Sequence, residues 1–196
     1  MKSDSTMLKG IPVMLFKTQK AWTAWLDKNH TKSSGVWLRL AKKGSEIKSL
    51  SYNEGVEVAL CYGWIDGQKE RFDESSWLQK FTPRGKQSIW SKINRDKAQV
   101  LIKNGQMKEA GLAAIETARK NGRWEGAYDS PGVSSIPDDF QAELDKNPAA
   151  KAFYATLNAA NRYAITFRLQ TAKKAETRER RMREFISMLE RKETLH

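Results

Sequence analysis

Apolar positions recur along this chain with two periods, and the switch between them divides it into elements. Trp22, Trp25, Leu26 and Asn29 follow the three-and-four spacing of one helical face. Thr18 stands where a cap belongs, so a helix is expected to run to about Asn29. After a Ser34-Gly35 turn, VWLRLA (36–41) alternates Val36, Leu38 and Leu40 with Trp37 and Arg39, the period of a strand. The turn KKGSE is expected to send the chain back as a second short strand over 46–50. Ser51 with Glu54 three residues on is a capping box. The helix it opens carries Val56, Ala59 and Leu60 on one face and ends at Gly63, in the place of a left-handed cap. WIDGQKERF (64–72) and SWLQKFT (76–82) flank the polar turn DESS as an antiparallel hairpin. Gly67 inside the first of these strands marks a bulge or a close backbone approach.

Pro83 stops the pairing, and Ser88 is expected to begin a helix to about Lys103, broken by Asn104-Gly105. A further helix covers roughly 106–120. Residues 121–137 are rich in Gly, Ser and Pro, and their Trp124 and Tyr128 suggest a packed loop. Only helical patterns follow. Pro137 and Pro148 suit helix starts, and Met182, Phe185, Ile186 and Leu189 form the stripe of the last one. The expected fold is α+β: a small antiparallel β-sheet packed against helices, followed by a C-terminal helical segment. Its strands lie near 36–41, 46–50, 64–72 and 76–82. Residues 1–122 are assigned to the α+β domain, 123–137 to a packed linker loop and 138–196 to a helical subdomain.

Composition narrows what such a chain does. The 196 residues include seven Trp, seven Phe and five Tyr, enough for a substantial core. No run approaches the ~20 apolar residues that cross a bilayer, so no membrane insertion is expected. The start, MKSDSTMLKGIPVMLF, lacks the pattern of a signal peptide, and a cytoplasmic location is the default. Cys61 is the only cysteine and falls in an apolar helical pattern, as a small buried hydrophobe does. With only His30 and His196 beside it, no zinc site of Cys and His is expected, and no other metal or cofactor. The formal net charge of +12 favours anionic partners.

That charge is concentrated. Residues 80–103 hold Lys80, Arg84, Lys86, Lys92, Arg95, Lys97 and Lys103 against Asp96 alone. Ile89, Ile93 and Val100 fall on one side of the expected helix, and Lys92, Arg95, Gln99 and Lys103 on another. If Ser88 caps that helix, unpaired N–H groups of the first turn together with Arg84 and Lys86 suit a phosphate or carboxylate. The alternative is a plain cap among solvated charges. There is no GxxxxGK[ST] pattern, which excludes a nucleotide P-loop. Asp66, between Trp64-Ile65 and Gly67, is a candidate general base or a partner orienting Arg84, and equally a turn residue bonded to its own backbone. Trp77, Phe81 and Trp90, interleaved with basic residues, suit either base stacking or a core. Lys174, Arg178 and Arg181 form a secondary basic cluster, and Glu176 and Arg180 have the spacing of a helical ion pair.

ALCYGWIDGQ (59–68), FTPRGKQSIWSKIN (81–94), NGQM…AG (104–111), AYDSP (127–131) and AKKAETRERRM (172–182) occur in this order. Together they resemble the YdeI/OmpD-associated family, also labelled bacteriocin-protection proteins. Ala175 stands where that family's late block is expected to hold proline. The resemblance implies a bacterial protein with no established reaction or cofactor, whose label ties it to tolerance of bacteriocins or antimicrobial peptides. Its motif positions here include Asp66, Arg84, Ser88, Trp90 and Asn94. A chain at +12 does not attract cationic peptides directly. The leading expectation is therefore a stress-related binding protein for a small anionic ligand held by Arg84, Lys86, Ser88, Asp66, Trp90 and Asn94. Nucleic-acid binding by the basic helix 88–103 is the alternative. An enzyme with Asp66 as general base ranks last, and the sequence assigns no oligomeric state.

Overall fold

The computed structural model describes residues 6–196. Its five strands and eight helices, an α+β assembly, divide into two compact units. The first comprises residues up to 88 together with 94–122, and the second comprises 89–93 together with 123–196.

In the first unit the sheet order is β1 (Met7–Leu8), β2 (Ile11–Met14), β3 (Val36–Ala41), β5 (Ser76–Pro83), β4 (Trp64–Arg71). All pairs are antiparallel except β2 with β3, which are parallel and joined through helix α1 (Gln19–Asn29). The first two strands carry no strong sequence signal. Their turn is Lys9-Gly10, both at positive φ, the geometry of a tight hairpin turn that Asn-Gly normally announces. The expected strand at 46–50 is absent, and the pairing of β3 explains why. Its two edges are taken by β2 and β5, so a returning strand has no free edge. Ser49 instead accepts the Ala41 N–H and donates to the Leu50 carbonyl.

The 64–72 and 76–82 hairpin forms as expected, with a register shift between Asp66 and Lys69 at Gly67. Thr18 caps α1, and Ser51 with Glu54 caps α2 (Tyr52–Cys61) through the full box. Trp22, Leu26, Leu38, Leu40, Leu60, Trp64 and Phe81 are among its buried residues. Each buried indole finds a carbonyl: Trp22 bonds Gly55, Trp37 bonds Leu8 and Trp64 bonds His30. Helix α3 (Lys92–Lys103) buries only Ala98 and Leu101, whereas Ile93 and Val100 are 51% and 57% exposed. The expected apolar stripe therefore faces water. Helix α4 (Glu109–Lys120) meets the end of α2 very closely. The Lys108 N–H bonds the Cys61 carbonyl at 3.1 Å, and a Cβ on Gly111 would press on the Cys61 and Leu60 carbonyls and the Met107 sulfur.

In the second unit, α5 (Asp138–Lys146), α6 (Pro148–Thr156), α7 (Ala159–Gln170) and α8 (Ala175–Glu190) enclose one core. Phe140, Leu144, Tyr154, Ile165, Leu169, Phe185 and Leu189 build it, with Met182 and Ile186 packed on its edge. Residues 89–93 belong here through backbone pairing. The Tyr128 N–H bonds the Trp90 carbonyl and the Lys92 N–H bonds the Tyr128 carbonyl, at 3.0 and 2.9 Å. The Trp90 and Trp124 rings meet edge to face at 4.9 Å. Among the described residues no helix is long and apolar enough to cross a membrane.

Candidate functional site

Residues 83–91 decide the leading sequence expectation. Trp90 and Ser91 are drawn into extended pairing with Tyr128, so helix geometry cannot start before them, and α3 begins at Lys92. Ser88 is therefore no helix cap. It closes a tight turn instead, its N–H donating to the Gly85 carbonyl at 2.9 Å. The turn is held at two further points. The Arg84 N–H donates to the Gly63 carbonyl at 2.9 Å, and the Asn121 side-chain amide donates to the Lys86 carbonyl at 2.8 Å. Both tethers grip backbone, which leaves the Lys86 side chain to face outward while the Arg84 guanidinium turns inward. Lys86 is exposed and Ser88 half-exposed. Neither the Lys86 ammonium nor the Ser88 hydroxyl has a hydrogen-bond or ion-pair partner among the described residues. Arg84 is half-buried.

The other expected members fall elsewhere. Trp90 is 2% exposed within the second unit, and Asn94 belongs to the first. Asp66 accepts a 2.6 Å hydrogen bond from the Tyr52 hydroxyl, a partner no sequence spacing reveals. The Tyr52 ring also lies 6.1 Å from Trp77, over which Lys69 places its ammonium at 4.5 Å. Phe81 is fully buried.

Basic residues of α3 are largely engaged. Lys92 meets Asp129 at 2.6 Å, Arg95 meets Asp96 at 3.2 Å and Lys97 meets Glu57 at 3.3 Å. The secondary cluster is more firmly committed. Arg178 grips both carboxylate oxygens of Asp139 at 2.7 Å and donates to the Leu169 carbonyl at 2.6 Å. This bond holds the Asp139 carboxyl below its ordinary range and pushes the Arg178 guanidinium up. Arg181 bonds the Arg168 carbonyl. The two arginines thus satisfy carbonyls at the end of α7, where helix carbonyls lack intrahelical partners. Arg180 pairs with Glu184 at 2.8 Å, the other i,i+4 choice from the expected Glu176. Lys174 is exposed just before α8.

Among the described residues no group of His, Cys, Asp and Glu is arranged to hold a metal. Cys61 is buried, and its thiol is pushed up by loss of water. Tyr62 is also raised, first by burial and then by its hydrogen bond to Asp27.

Comparison with known proteins divides the chain in the same order. Residues 14–114, just over half of it, match the model of a family described as a domain of unknown function (DUF8412), and the chain belongs to that family. Residues 134–192 match the model described as bacteriocin-protection, YdeI or OmpD-associated, the family that the motifs resemble. The GWIDG and FTPRGKQSIW motifs lie in the first match, and the late AKKAETRERRM block lies wholly in the second. No curated protein and no solved structure matches the chain.

Proposed function

We propose that this family member is a stress-related binding protein whose first unit takes a small anionic ligand at the turn 84–88. The observation that carries the reading is the fixed backbone of this turn. It presents an ammonium and a hydroxyl, both unpartnered among the described residues, two positions apart. A fixed backbone removes part of the ordering cost that binding otherwise carries. Asn121 holds the shape of the turn. The helix N-terminus expected from the sequence plays no part, since α3 starts four residues later.

A thermal-shift screen of inorganic phosphate, nucleotides and phosphorylated sugars tests this. Stabilisation of the wild type that Lys86→Ala abolishes supports the proposal. The absence of any stabilising anion, or equal stabilisation of Lys86→Ala, refutes it. Nucleic-acid binding by α3 has less support, because Lys92, Arg95 and Lys97 have carboxylate partners and Trp90 and Phe81 are buried. A gel shift across ionic strength separates the two readings, since phosphate contacts make affinity fall steeply with salt.

A further inference from the structure

The second unit holds a cavity that no sequence motif marks. It lies between the loop 131–136 and helices α6 and α7, with a volume of about 320 Å³. That is the room of roughly ten liquid waters at ~30 Å³ each, at the small end of ligand pockets. Pro131, Ile136 and Ala159 supply apolar wall, and Tyr154, Arg162, Ser134 and Thr166 supply polar groups.

Tyr154 carries the argument. Its ring is core, 5% exposed, yet its hydroxyl makes no hydrogen bond among the described residues. Tyr154 is also one of the residues that line the cavity. A buried tyrosine normally finds a partner for this group. Here the partner is left to whatever fills the cavity.

The neighbouring polar groups bear on which sign that occupant has. Thr166 donates to the Tyr163 carbonyl at 3.1 Å, so the 3.0 Å contact between Ser134 and Thr166 takes its proton from Ser134. Both protons are then engaged, and the groups left to donate to a ligand are the Tyr154 hydroxyl, the exposed Ser135 hydroxyl and the exposed Arg162 guanidinium. Arg162 acts electrostatically on Tyr154, while burial keeps the phenol protonated and able to donate. The first turn of α7, with Ala159 on the cavity wall, adds partial positive charge. Arg162, the one charged residue among those lining the cavity, favours a negative occupant.

We infer that this cavity is a binding site for a small organic oxyanion, its carboxylate or phosphate head between Tyr154 and Arg162 and its compact apolar body against Pro131 and Ile136. The site does not depend on the 84–88 turn. Calorimetric titration of the full chain with benzoate and with phenyl phosphate tests it. The expected result is saturable binding of at least one probe. Tyr154→Phe, which keeps the ring in the core, weakens that binding about tenfold or more, as loss of a hydrogen bond to a charged group does. Arg162→Gln weakens it likewise, and Lys86→Ala leaves it unchanged. Preference for phenyl phosphate identifies a phosphate head and preference for benzoate a carboxylate. Failure of both probes to bind overturns the assignment, as does equal affinity of the wild type and both pocket variants. Loss of binding in Lys86→Ala also overturns it, by moving the probe to the other unit.

Discussion

Replacing Gly111 by alanine sets two physical effects against each other with opposite signs. By helix propensity alone, Gly→Ala inside α4 stabilises by about 1 kcal/mol. By geometry the new Cβ sits only 2.8 Å from the Leu60 carbonyl oxygen and nearer still to the Cys61 carbonyl and the Met107 sulfur. The methionine can swing away, but the two carbonyls are backbone. Relief therefore needs α4 to retreat from α2 by roughly an ångström, since unbonded heavy atoms settle near 3.5–4.0 Å. Overpacking of this kind costs about 1–3 kcal/mol. The retreat also stretches the Lys108–Cys61 backbone hydrogen bond, worth about 1 kcal/mol. The net expectation is a loss of about 2 kcal/mol. With a slope near 2 kcal/mol/M, the urea midpoint drops by about 1 M. Tryptophan fluorescence is the assay, because Trp22, Trp25, Trp37, Trp64 and Trp77 all lie in the first unit. Exposed Ala113→Gly is the control, expected to lose about 1 kcal/mol through propensity. A Gly111→Ala midpoint equal to or above wild type refutes the close helix contact.

Other expectations are checked in the same way. Arg178→Ala should cost about 1–2 kcal/mol in urea denaturation followed by circular dichroism, with Arg178→Lys between it and wild type, because only the fork reaches Asp139 and Leu169 together. The folded-state pKa of Asp139 lies below the unfolded value near 3.9, so its stabilising effect is complete above that pH and lost as pH falls through the folded value. The stability gap between wild type and Asp139→Asn should accordingly shrink below about pH 4; a gap constant to pH 2 counts against the pairing. Tyr62 has the opposite sense. Its pKa is raised by folding, so its contribution is full below about pH 10 and lost as pH rises, and Tyr62→Phe should flatten the alkaline fall in melting temperature.

What the sequence made legible is what is decided locally. The caps at Thr18 and Ser51, the left-handed Gly63 and the bulge at Gly67 depend on neighbours within a few residues, and each stands where the chain placed it. The misplacements have distant causes. Ser88 has a capping residue's chemistry, but Tyr128 claims the backbone of 90–92 and delays the helix. The strand expected over 46–50 lacks an edge to join because β2, opened by an unannounced Lys-Gly turn, already lies along β3. Arg178 looked like an available cation in the sequence, where its partners Asp139 and Leu169 are invisible. The cavity at Tyr154 gave no signal at all, since an unpartnered hydroxyl exists only once three separate segments have met.

The threading of residues 89–93 into the second unit has a consequence for synthesis. Trp90 leaves the ribosome about 34 positions ahead of Trp124, the ring that covers it. At about 5–20 residues per second, that interval lasts roughly two to seven seconds. Throughout it a large indole that is later almost wholly buried waits without its lid, in the middle of a strongly cationic stretch of the chain. The seven positive charges of residues 80–103 surround it during that time.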